Sequence, residues 1–379
     1  MLIPIIVGSI AVILSCLSQH RQNGWGLKAA FVIIFVFLAL RYDYGNDYMT
    51  YLDGFKEITY KYNAHKFFDV TAWEPGWVLL NFVFKPFGFF TMVMFTSLLT
   101  CVVIYRFFRN FVPAKYQWLG IFLYCFDYEL LLVPASAMRQ NMGILLFLVG
   151  IEFLYKKRIL GYLLLVGAAS SFHYSARVLV PIALLAFVNI KINKFIAVLC
   201  SLIYVCLYLY GEPVFAFITS VTGTLFEKYT ESYEGGTSLS SGLGLVYSLF
   251  LFGSVLYFAG MEFIRADLAE HEGVLPGQAE PFPVLAARRL LFKLAILTFM
   301  FTPLAFQLAM IARINMYFAP VMVAVYPIIA ITTRNALYKL MLLGSLIPFT
   351  LYRFVVFFNS PVWEKKFGTY QTIFSLLNW

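Results

Sequence analysis

The sequence predicts an all-α protein that crosses a membrane about twelve times, within a range of about 11–14 spans of some 20 residues or slightly less. Three observations lead there. Hydrophobic residues make up 61% of the 379-residue chain and charged residues only 12%, roughly half the 25% or so of a soluble globular domain; mean hydropathy is +0.81. The apolar residues form long runs rather than one-sided stripes, as expected of segments surrounded by lipid or by one another. Basic residues gather in every second connection between the runs, the asymmetry that orients membrane proteins.

The first run, 2–17, has no basic leader and no small-residue cleavage site, so it reads as a retained span and not a signal peptide. The second, 26–40 ("GLKAAFVIIFVFLAL"), stops at Arg41. The segment 75–89 is apolar but broken by "KPFG", which suits an interfacial or re-entrant helix. Further spans follow at 91–105, 117–134, 140–155, 159–172, 176–190, 194–210, 243–260, 290–311, 315–332 and 337–357. Several fall short of the roughly 20 residues of a straight span, and flanking aromatics extend them.

The short connections "RFFRNFVPAK", "YKKR", "KINK" and "TRNALYK", the first loop and the long loop 261–289 with its flanks carry more than half of the 28 lysines and arginines. The positive-inside rule makes these cytoplasmic and puts both termini outside. The larger outer loops are then 41–74, 211–242 and 358–379. No internal repeat stands out, so residues 1–379 form a single polytopic domain. All five cysteines lie within apolar runs and read as small buried hydrophobes, with neither disulfides nor a zinc site. The net charge of +9 is scattered, which speaks for membrane orientation and against nucleic acid. No nucleotide-binding glycine loop or zinc-protease motif is present.

On the predicted outer face a set of cations stands where the same rule disfavours them. Arg41 ends the second span; Arg139 lies in "SAMRQNMG"; His173 and Arg177 share "SSFHYSAR"; Arg313 lies in "MIARINMYFAP". Ionisable groups at membrane depth are costly and point to function. Asp43, Asp47, Asp53 and Glu74 offer some of them structural ion pairs, but these acids crowd into one loop. An anionic ligand fits the set better, because guanidinium forks grip phosphate oxygens bidentately. The tyrosines and tryptophans of 42–77 suit stacking on sugar faces.

The ordered set "RYDYGNDYMTY", "EPGWVLLNFVF", "MRQNMG", "FHYSA", "ARINMYF" and the closing "GTYQTIF" resembles the EpsG branch of the Wzy-type polysaccharide polymerases over nearly the whole chain. The resemblance implies a fold similar to C-type membrane glycosyltransferases. It also implies a metal-independent enzyme without cofactors that joins undecaprenyl-diphosphate-linked oligosaccharide repeat units at the periplasmic face of the bacterial inner membrane. Its implied partners are those lipid-linked substrates, membrane lipid, and a chain-length regulator and flippase of the same pathway.

The implied site residues are Arg41, Gly45, Asp47, Tyr48, Glu74, Gly76, Arg139, Gln140, His173, Ser175 and Arg313. We expect His173 as general base, with Asp47 or Glu74 as alternatives, and Arg41, Arg139 and Arg313 on the diphosphate. Tyr44, Tyr48, Gln140 and Arg177 are expected on the substrate, and an in-line attack inverts the anomeric centre. Two other functions use similar chemistry: an O-antigen ligase, and a flippase or other transporter of lipid-linked oligosaccharide.

Overall fold

A computed structural model describes residues 1–17, 24–60, 73–188, 192–222, 242–271, 282–305 and 308–378. The protein is all-α and 87% helical. Sixteen α-helices are described: α1 Leu2–Leu17, α2 Trp25–Leu40, α3 Tyr48–Tyr60, α4 Pro75–Phe84, α5 Phe89–Phe111, α6 Gln117–Phe126, α7 Leu132–Ser136, α8 Met138–Tyr155, α9 Ile159–Phe172, α10 Lys194–Thr222, α11 Gly242–His271, α12 Phe282–Ala305, α13 Ala309–Phe318, α14 Met322–Thr332, α15 Ala336–Asn359 and α16 Pro361–Phe367. Two two-residue strands, β1 (Arg41–Tyr42) and β2 (Gln371–Thr372), pair antiparallel.

Five segments are long and apolar enough to cross a membrane: Phe89–Phe111, Lys194–Gly211, Gly244–Ile264, Met310–Thr332 and Ala336–Asn359. Shorter apolar helices accompany them at Leu2–Leu17, Trp25–Leu40, Ile159–Phe172 and Tyr174–Ala186. The chain is a membrane protein. Its lipid-facing character is visible on α10, where Phe195, Val198 and Leu202 are exposed. The interior is built by α8, which runs along α9, by α5 wedged between α2 and α8, and by α14 against α6 and α12. Helix α14 is enclosed, with Ala324, Val325, Ile329 and Ala330 at 0% exposure.

Where helices depart from the expected spans, polar chemistry explains it. The run 117–134 breaks after Phe126, because Asp127 and Glu129 turn out of the helix to meet Arg353 of α15. The run 176–190 begins as two 3-10 turns, Tyr174–Leu179 and Pro181–Ala186, the second opened by a proline with no amide to donate. Helix α13 begins ahead of the expected 315, so Arg313 lies on a helix and not in a connection. The segment from Pro75 is helical to Phe84 and ends in a 3-10 turn at Lys85–Phe87. The expected loops 41–74, 211–242 and 261–289 each lie partly outside the described residues.

The connections gather into two sets at opposite helix ends. One joins β1 to β2, Asp43 to Lys366 (3.1 Å) and the Met1 amino group to the Gly368 carbonyl (2.8 Å). The other joins Arg106 and Asn110 to Glu152 and sets Lys339 over the Tyr116 ring. All five cysteines are free.

Candidate active site

Two glycines let the site form. Gly45 has φ +111°, and a Cβ there would stand 2.7 Å from Ser136 Cβ, so only glycine allows the 41–47 turn to lie against α7. The turn is held by the Gly45 amide donating to the Lys366 carbonyl (3.2 Å) and the Asp47 amide to Ser136 Oγ (3.2 Å). At Gly76 a Cβ would lie 2.8 Å from the Ser171 carbonyl oxygen. That close approach seats the start of α4 on the end of α9 and brings Glu74 to His173.

Five charged or titratable residues from five separate stretches then meet: Asp47, Glu74, Arg139, His173 and Arg313. Glu74 is 4% exposed; its Oε2 accepts from Arg139 Nη1 at 2.6 Å and its Oε1 from the Tyr174 amide at 3.1 Å. Arg139 stands in the first turn of α8 with its guanidinium 5.8 Å from the ring centres of both Tyr51 and Trp73. The Gln140 amide donates to the Arg313 carbonyl (2.6 Å) and so ties α8 to α13. Arg313 is exposed, and among the described residues no carboxylate ion-pairs with it. Burial raises the Asp47 carboxyl above its ordinary range, against the pull of Arg313 and Arg139. The group is therefore a stronger base than a solvated carboxylate, and two cations stand within its field.

His173 caps the 3-10 turn that follows it: its Nδ1 accepts from the Ser175 amide (3.3 Å) and lies 2.6 Å from Ser175 Oγ. Ser175 Oγ in turn lies 3.0 Å from the Tyr317 hydroxyl, a fully buried group on α13. A backbone amide can only donate, so Nδ1 is the acceptor and the neutral ring keeps its proton on Nε2. Burial, reinforced by Arg139 and Arg313 and opposed by Glu74, pushes the imidazole down to about 4. Near neutral pH His173 offers the site an N–H.

Other expected residues take different places. Arg41 is 2% exposed. Its guanidinium donates to the Leu38 carbonyl, to Ser97 Oγ (2.9 Å) and to the Ala135 carbonyl (3.1 Å). It locks α2, α5 and α7 together below the cluster. Tyr44 packs edge-on to Phe37, Phe367 and Tyr370, and Tyr48 to Tyr42 and Phe89. Arg177 is exposed and lies over the Tyr174 ring at 4.7 Å. Sequence reasoning placed Tyr51 and Trp73 only among the tyrosines and tryptophans of 42–77 and missed Tyr317 as a member of the site. Their signal was present in "YMTYL", "AWEPGW" and "ARINMYF", but in a chain that is 19% aromatic it does not separate site from core. Among the described residues no group of three or more His, Cys, Asp or Glu is arranged to hold a metal ion.

Two cations, two carboxylates, a neutral imidazole and flanking aromatic rings can bind an anion and move a proton beside it. Compared with known proteins, the chain matches the model of the EpsG family over residues 27–372. No curated protein and no solved structure matches it at a significant level.

Proposed function

This chain belongs to the EpsG family, a family of Wzy-type polysaccharide polymerases, and we propose that it elongates a polysaccharide from undecaprenyl-diphosphate-linked repeat units at the periplasmic face of a bacterial inner membrane. The growing chain on its lipid diphosphate is the donor and a single lipid-linked repeat unit the acceptor. An acceptor hydroxyl attacks the anomeric carbon, the lipid diphosphate leaves, and the configuration inverts. The protein does this across about twelve spans, in the manner of a C-type membrane glycosyltransferase without a metal.

The observation that carries this reading is the meeting of Arg139 and Arg313 with Asp47, Glu74 and His173. Charge grows on the leaving diphosphate in the transition state, and preplaced donors there lower the barrier. Among the described residues Arg313 has no carboxylate ion-pair partner to give up, and Arg139 sits at a helix N-terminus, where the backbone dipole also favours an anion. Asp47 accepts the hydroxyl proton; its raised affinity for protons suits that task. His173 donates its Nε2–H to the diphosphate as a neutral ring, and Glu74 holds Arg139 and the 173–175 turn in place. Tyr51 and Trp73 stack beside the sugar, with Gln140 and Arg177 at the margins. Arg41 orients the floor of the site from below.

The glycan profile of a deletion strain on a gel tests the reading. Loss of a polymerase leaves single capped repeat units. Uncapped core would instead identify a ligase, and repeats trapped inside the cell a flippase or other transporter.

A further inference from the structure

A second polar constellation lies apart from the charged cluster. Arg353 of α15 is held by Asp127 Oδ2 (3.4 Å) and Glu129 Oε1 (2.7 Å) and lies 5.1 Å from the centre of the Tyr128 ring. These residues wall a cavity of about 140 Å³ bounded by α11, α12, α13, α14 and α15. Its wall is mixed: Thr298, Thr302 and Thr350 line it together with Phe299 and Phe349. Asn315, 5% exposed, lines it as well, and among the described residues neither its buried Oδ1 nor the buried Arg353 Nε has a hydrogen-bond partner. Buried polar groups left unpaired are costly, so the wall offers an acceptor and a donor that a hydroxyl can satisfy in either role.

The chemistry of the wall selects the occupant. Two carboxylates against one guanidinium repel an anion, so a diphosphate does not belong here. A lipid tail would bury the carboxylates and leave the Asn315 oxygen and Arg353 Nε unpaired against methylenes at a cost. A neutral ring with hydroxyl donors on its edge and apolar C–H faces satisfies both kinds of wall. The volume is roughly ten times what one water needs, enough for one sugar ring.

The cavity is joined to the charged cluster by covalent structure. Ala312, Asn315 and Met316 line it from α13, the helix that carries Arg313, and Asp127–Leu130 and Val133 line it from the stretch that leads to Arg139. We propose that this cavity is a sugar subsite, which holds one neutral hexose or N-acetylhexosamine ring of the repeat unit and so selects which units are elongated. Its assignment to the repeat unit rests on the polymerase reading; its preference for a neutral sugar does not.

The test uses the full-length protein in nanodiscs and tritium-labelled repeat-unit oligosaccharide freed from its lipid by mild acid. Wild type is expected to bind one equivalent. Neutral hexoses or N-acetylhexosamines compete, while hexuronic acids and inorganic pyrophosphate do not. Asn315→Leu removes the unpaired acceptor and Thr302→Phe fills the space; each is expected to weaken binding at least about tenfold, equivalent to 1.4 kcal/mol. Phe195→Ala, on the exposed face of α10, is the control and is expected to bind the free oligosaccharide like wild type. Wild-type affinity in both cavity variants, absence of binding by wild type, or displacement by pyrophosphate overturns the proposal. Polymerisation of lipid-linked units by the same preparations separates the two readings. A wild type that polymerises, with cavity variants of unchanged KM, removes the subsite alone. A wild type that binds sugar through the cavity and makes no polymer removes the polymerase reading alone.

Discussion

Asp47 and His173 differ in what their neighbours leave free. The histidine spends its basic nitrogen on the Ser175 amide, whereas among the described residues no side-chain hydrogen bond occupies the Asp47 carboxylate. His173→Gln is therefore expected to keep most of the polymerising activity, since an amide supplies both an acceptor for the cap and an N–H for the site. Asp47→Asn is expected to lose roughly 10²–10⁴-fold. Assays on purified lipid-linked units with both variants decide between them, and the reverse ranking would return the role of base to His173. The pH profile carries the same distinction. Burial raises the Asp47 carboxyl, so a base that must be ionised loses activity as pH falls through a value above the ordinary 3.9 or so of an aspartate. Bound diphosphate adds negative charge and raises it further, so the acid limb of kcat is expected at higher pH than that of kcat/KM. A limb at the same pH in Asp47→Asn would contradict the assignment. Arg139→Lys and Arg313→Lys keep the charge but not the planar fork and are expected to lower the rate by about 10²-fold or more, measured at matched protein levels.

At the scale of the element, the close seat of α4 on α9 is what assembles the site. Gly76→Val places a side chain against the Ser171 carbonyl, and polymer is expected to vanish while the protein still reaches the membrane. Gly167→Ala, with nothing within 4 Å of its added carbon, is the matched control and is expected to behave as wild type. Normal polymer from Gly76→Val would show that the approach is not needed. The same contact marks the limit of what sequence could convey. Apolar runs reveal helices because a buried segment must be apolar along its length, and α1, α2 and α9 fall where those runs lie. A run does not reveal a turn forced by a distant partner: "CFDYELLLVP" reads as one span until Arg353, more than 200 residues on, draws Asp127 and Glu129 aside. In the site, the rule that ionisable groups at span ends are costly picked out Arg139, His173 and Arg313, while Asp47 and Glu74 entered as nearby loop acids and through the family motifs. It could not separate Arg41 from them, because burial under Ser97 and Ala135 is a matter of packing and leaves no trace in the local sequence.

For the whole molecule, the proposed orientation is open to a direct check. With the native cysteines replaced, Lys56→Cys on α3 is expected to react in intact cells with an impermeant thiol reagent, and Lys156→Cys at the end of α8 only after lysis. The opposite pattern would place the charged cluster in the cytoplasm, away from any periplasmic substrate. The two helix ends differ: one holds surface ion pairs such as Arg106 with Glu152, while the other adds to pairs such as Asp43 with Lys366 the exposed Arg313, which ion-pairs with no carboxylate among the described residues, beside half-buried Asp47 and buried Glu74. That contrast is what a membrane enzyme working on one face requires, and it leads to the most direct trial of the account. Purified protein in nanodiscs is given lipid-diphosphate-linked repeat units alone, and the glycan products and the released lipid diphosphate are counted together. The account predicts a ladder of multimers with one lipid diphosphate freed per linkage formed, and both slowed about 10²-fold or more in Arg313→Lys. Single repeat units that remain unjoined under conditions where wild-type protein binds them, or a ladder undiminished in Arg313→Lys, would contradict it.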